Sequence, residues 1–221
     1  MKLVATELGQ VLQLLVMEEL RPYGGLVGVN VVKAIADHYR FAKKPEKAED
    51  NEFTSGQAVI DGKEKEIIKL AWYPDGIVVQ CRYTEDAEIV FEDFMAWATR
   101  EFNFRQPMTK RPRTFASRVV VEFDIAIDQA LIVFETMRSS FAAGLKAAYD
   151  IDAEVSLKDL GVGVDPLTPI TGVIPEFTLE RRAGIPYSQN RYFSYAPVQT
   201  QIHLDMLHKL EAAVVKLKTS H

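Results

Sequence analysis

Two Asp-Gly pairs constrain this chain more than any other feature. Ala58, Val59 and Ile60 run into Asp61-Gly62; Ile67, Ile68, Leu70, Ala71 and Trp72 run into Pro74-Asp75-Gly76; Ile77, Val78, Val79 and Cys81 follow. Asp-Gly readily takes the positive φ angles that tight hairpin turns need. Apolar, β-branched runs cut at these points predict a three-stranded antiparallel meander.

The flanking segments supply helices to lay on that sheet. Residues 3–20 are too continuously apolar for either period to win, and we take them as a buried strand. Pro22, Gly24 and Gly25 break the chain, and residues 29–41 read as a helix with Val32, Ile35, Ala36 and Tyr39 on one side. Residues 43–52 form a charged connector. After the meander, Thr84 is placed to cap a helix, with Glu85, Asp86 and Glu88 near its positive end and Val90, Phe91, Phe94, Trp97 and Ala98 as its apolar stripe.

Residues 106–113 hold Pro107 and Pro112 among Lys110, Arg111 and Arg113, without apolar periodicity, and read as a linker. A strand over 115–123 follows. A long helix over 127–149 carries Ile127, Leu131, Phe134, Phe141, Leu145 and Ala148, and a strand covers 153–160. The glycines and prolines of 161–174 mark a long loop. Two strands, 176–182 and 190–196, then flank a turn at Gly184 and Pro186. A final helix follows Pro197, with Ile202, Met206, Leu210, Ala213, Val214 and Leu217 as its inward stripe. The expected class is α+β, mostly antiparallel sheet with amphipathic helices on it. An N-terminal half (1–105), the linker (106–113) and a C-terminal half (114–221) each follow, and both halves read helix, three strands, helix after a strand.

Composition narrows the function. The chain has 221 residues, enough for a sizeable core, and a formal net charge of -5, which argues against a protein built to neutralise nucleic-acid phosphates. One cysteine, Cys81, excludes an intrachain disulfide framework and a multi-cysteine zinc site, and its apolar strand makes it a buried thiol. No signal-peptide pattern and no uncharged apolar run long enough to span a bilayer is present, so a cytoplasmic protein is expected.

No motif demands catalysis. His203 and His208 share a helix with Asp205, but their five-residue spacing turns them about 140° apart, which favours solvent-facing residues over a metal pair. Gly161-Val162-Gly163 lacks the remainder of a phosphate loop, and Ser139-Ser140 lacks a nucleophile-elbow context. Glu122, Asp124 and Asp128 read as strand-face and helix-start residues. The strongest binding candidate is the last hairpin, with Arg181, Arg182, Tyr187, Asn190, Arg191, Tyr192 and Tyr195. Arginine forks and flat aromatic rings suit binding surfaces and single-stranded nucleic-acid platforms. Alternation, however, divides these residues between two strand faces. The expectation is a non-catalytic interaction or assembly subunit, self-associating or bound to a protein partner, with neither cofactor nor metal. A nucleotide or single-stranded nucleic-acid binding domain using the 181–195 hairpin is the first alternative. An enzyme with a site formed between the halves is the second.

Overall fold

The apolar run near the start becomes a strand, β1 (Lys2–Leu14), followed by one turn of helix, α1 (Met17–Leu20). The computed structural model describes residues 1–22, 30–47, 50–105, 107, 113–127, 132–152, 155–165, 167 and 174–219. Within them follow α2 (Val31–His38), β2 (Glu52–Ile60), β3 (Lys63–Tyr73), β4 (Gly76–Cys81), α3 (Thr84–Phe102) and β5 (Arg113–Glu122). The order then repeats as α4 (Ile132–Tyr149), β6 (Asp159–Val162), β7 (Phe177–Arg181), β8 (Arg191–Ala196) and α5 (Thr200–Thr219). The eight strands form one sheet in the order β2-β3-β4-β1-β5-β8-β7-β6, and its registered pairs are antiparallel. The α+β class therefore holds, and so does the repeated run of helix, three strands and helix.

Both meander turns exist, but they are built differently. At the first, Ile60 pairs with Lys63, and Asp61 (φ 51°) and Gly62 (φ 73°) both take positive φ, matching the twist of the strands they join. At the second, Tyr73 pairs with Gly76, so the turn is Pro74-Asp75 and Gly76 is already strand. Glycine is needed there for space: a Cβ at Gly76 would lie 2.8 Å from the Gln13 carbonyl oxygen.

The chain divides into two compact units. The first comprises Glu7–Ser117 with Val198–Thr200. Its core sets Val90, Phe91, Phe94, Trp97 and Ala98 of α3, the expected stripe, against Val11, Phe53, Ile67, Leu70, Ile77 and Val79 of the sheet and Ile35 and Tyr39 of α2 and its cap. Asn30 caps α2, its side chain accepting from the Lys33 backbone N–H at 2.9 Å. Thr84 is not the cap expected of it. The cap position is Tyr83, and Thr84 is fully buried as the first helical residue. Its hydroxyl accepts from the Thr200 N–H at 2.6 Å while the Thr200 hydroxyl accepts from the Thr84 N–H at 3.1 Å.

The second unit comprises Met1–Thr6, Arg118–Pro197 and Gln201–His221. Its core holds Val119, Val121, Phe123, Leu179 and Tyr192 of the sheet side with Leu207 and Val214 of α5. The strand expected over 153–160 is instead β6, Asp159–Val162, which takes Gly161 and Val162 from the expected loop; Leu160 pairs with Leu179 and Gly161 with Thr178. In α4, Phe141 is 58% exposed rather than facing inward. Gly24, Gly25, Val29, most of the expected linker, Asp128, Leu131, the Phe134 side chain, Ala153, and the loop residues Pro166, Pro169 and Gly172 lie outside the described residues.

Candidate functional site

The hairpin of β7 and β8 carries the candidate binding residues, and their placement follows strand alternation. Tyr192, Ser194 and Ala196 are buried on the face turned to the core, while Arg191, Phe193 and Tyr195 are half-buried on the other. Arg181 lies with the buried set. Its guanidinium donates to the Leu157 carbonyl at 3.3 Å, the Tyr187 carbonyl at 2.9 Å and the Ser156 hydroxyl at 2.9 Å. The same group sits over the rings of Tyr187, at 4.5 Å, and Tyr192, at 5.0 Å. Arg181, Tyr187 and Tyr192 thus form one packed cluster that ties the turn to the segment before β6.

The remaining candidates lie elsewhere. Arg191 grips one carboxylate oxygen of Glu122 through Nε at 3.1 Å and Nη2 at 2.7 Å. Tyr195 lies under the Arg118 guanidinium at 6.0 Å, and burial raises its pKa. Asn190 takes a left-handed conformation (φ 49°) that turns the chain into β8, and its carbonyl accepts from the Phe123 N–H at 3.0 Å. Arg182 is exposed in the turn. Arg181, Tyr187 and Tyr192 therefore share one cluster, whereas Arg191 and Tyr195 engage Glu122 and Arg118.

His203 departs from its sequence reading. It is fully buried, not solvent-facing, with Nε2 at 2.9 Å from the Ser194 hydroxyl and its ring edge-on to Phe177 at 6.0 Å. The Ser194 hydroxyl donates to the Thr178 carbonyl at 2.8 Å, so it is the acceptor from His203. That assigns a neutral imidazole protonated on Nε2. A nucleophilic serine needs the reverse, a hydroxyl directed at an imidazole base. Burial alone holds the His203 pKa down to about 4, which fits a structural histidine. Cys81 is buried as expected, and burial pushes its thiol up to about 12. Among the described residues no cluster of histidine, cysteine and carboxylates could hold a metal ion, and no helix is long and apolar enough to cross a membrane.

The position of His203 reorients α5. The face packed on the second unit's core is His203, Leu207 and Val214, with Leu204 and Leu210 half-buried. Of the expected inward stripe, Val214 is buried and Leu210 half-buried, whereas the rest is turned to the flank: Ile202 is 47%, Met206 39% and Leu217 50% exposed. With 3.6 residues per turn, Ile202, Met206, Ala213 and Leu217 fall within about 60° of arc beside the packed face. Polar Gln201, Asp205, His208, Lys209 and Lys216 occupy the side away from the core. The helix therefore has a broader apolar arc than its own unit covers.

An eight-stranded antiparallel sheet with helices defines an α+β protein. No family model matches the chain, and no curated protein matches it at significance.

Proposed function

We propose that this chain is a non-catalytic assembly subunit that pairs with a second copy of itself along α5. The supporting observation is the exposed apolar stripe Ile202, Met206, Ala213 and Leu217, beside the face of α5 that packs on the core through His203, Leu207 and Val214. Its spacing is self-complementary. A second α5 running antiparallel sets Ile202 opposite Leu217 and Met206 opposite Ala213, one bulky side chain meeting a small one in the latter pair. Asp205 and Lys216 border the same edge of the stripe and come within reach of each other across that seam. We place the protein in the cytoplasm, since a chain with one buried thiol needs no oxidising compartment. The nucleotide-binding reading has less to draw on, because Arg181 and Arg191 are already committed to protein oxygens.

Sedimentation velocity over about a hundredfold range of concentration tests the pairing. The wild type should shift from monomer to dimer, and Ile202→Asp with Met206→Asp should remain monomeric with unchanged circular dichroism. A wild type that stays monomeric throughout, or a dimer unaffected by the two aspartates, would overturn the proposal.

A further inference from the structure

At the end of α2 the chain passes through a left-handed residue that is not glycine. Arg40 has φ 48°, and Ser55 of β2 has φ 58°. Such residues cost energy and persist where neighbours hold them in place. Here Gln57 N–H donates to the Tyr39 carbonyl at 2.7 Å, and Phe41 N–H donates to the Ala36 carbonyl at 2.9 Å. A Cβ on Gly56 would lie 2.4 Å from the Phe41 ring, so the kinked strand and the turn fit as one piece.

This strained junction borders two surface cavities within the first unit. One, of about 210 Å³, is lined by His38, Arg40, Gln57, Asp93 and Arg100, among others. The other, of about 530 Å³, shares Arg40 and Gln57 and adds Ser55, Glu64 and Glu66. Neither the Arg40 nor the Arg100 guanidinium donates a hydrogen bond or closes an ion pair with a described residue, although both border the smaller cavity. The acid beside them is engaged: the Tyr39 hydroxyl donates to Asp93 at 2.8 Å, and burial followed by that bond raises the Tyr39 pKa, keeping the donor protonated. His38 is stacked on Trp97 at 4.2 Å, and burial is the leading cause that lowers its pKa, leaving a neutral ring with one N–H to offer. A basic residue closing a helix ordinarily answers the helix dipole, which would account for His38 and Arg40. It would account for Arg100 too, in the last turn of α3, but not for a polar cavity that all three basic residues border.

We infer that the paired cavities bind a phosphate monoester of a polyhydroxylated small molecule. The phosphate lies between Arg40 and Arg100, whose planar forks match its oxygens. The hydroxyl-bearing remainder extends past Gln57 into the larger cavity, where the Glu64 carboxylate accepts from hydroxyls and disfavours a second phosphate. Glu66 in that cavity is held by Arg82 at 3.1 Å.

Calorimetric titration with ribose 5-phosphate, inorganic phosphate and ribose tests this on the intact chain. Ribose 5-phosphate should bind, inorganic phosphate should bind at least about tenfold more weakly, and ribose should give no heat. Arg40→Gly combined with Arg100→Ala should weaken ribose 5-phosphate by about tenfold or more. Glycine relieves the positive φ at position 40, so this variant keeps its turn, and an unchanged melting temperature without ligand verifies the fold. Absence of binding at millimolar ribose 5-phosphate, equal affinity in the double variant, or equal affinity for ester and inorganic phosphate would each overturn the assignment.

Discussion

Replacing His203 by leucine should make the protein less sensitive to mild acid, even though it removes a buried hydrogen bond. In the native state the imidazole is neutral and donates to Ser194, and burial lowers its pKa from 6.5 to about 4. The unfolded chain takes up the proton near the ordinary value. Between those two values the unfolded state binds more protons, so stability is complete above the unfolded pKa and is lost as pH falls toward the folded one. From about pH 7.5 to about pH 5 the linkage relation gives a loss of about 2 kcal/mol. Below the folded pKa it approaches about 3 kcal/mol. Urea unfolding of wild type and His203→Leu at both pH values isolates this contribution, because the carboxylates titrate alike in the two proteins. The variant should be less stable at neutral pH by about 1 kcal/mol for the lost hydrogen bond. Between the two pH values the wild type should lose about 2 kcal/mol more than the variant. Equal losses would refute a neutral, proton-excluding His203.

Arg181→Lys should cost about 2 kcal/mol in urea unfolding, because an ammonium cannot serve three separated oxygens while lying flat on two rings; stability equal to wild type would show that the cluster does not hold the turn. Gly9→Ala should cost about 3 kcal/mol, since its Cβ would fall 2.2 Å from the Tyr83 carbonyl carbon, and a melting temperature within a degree or so of wild type would contradict that packing. Cys81 should not react with a thiol-specific dye in the native protein at about pH 8 and should react fully in urea, its buried thiol remaining protonated. Native labelling as fast as that of the unfolded chain would contradict its burial.

The meander was legible because its turn chemistry is local: Asp61-Gly62 needs nothing beyond its neighbours to bend. Pro74-Asp75-Gly76 bends too, but one residue earlier than the Asp-Gly pair suggests, because Gly76 answers to the approach of Gln13 from a strand more than sixty residues away in sequence. The facing of α5 was not legible. Its apolar residues cover an arc wide enough to fit two rotations, and the one adopted depends on Ser194 meeting His203, a polar pair that hydrophobic periodicity cannot weigh. Arginine in a hairpin looks the same in sequence whether it waits for a ligand or braces a turn, and only the carbonyls of Leu157 and Tyr187 distinguish the cases for Arg181. Arg40 and Arg100 carried no signal at all, since the left-handed backbone at Arg40 and the distance between the two in sequence are both invisible to spacing rules.

β1 is the first strand in the chain yet lies between β4 and β5 in the sheet. Its pairing with β4 joins Gly9 to Cys81, so an emerging nascent chain holds this strand idle until both neighbours have been synthesised. Lys2, Glu7, Gln10 and Gln13 interrupt its apolar residues, and such polar gatekeepers lower the tendency of waiting strands on neighbouring ribosomes to pair with one another.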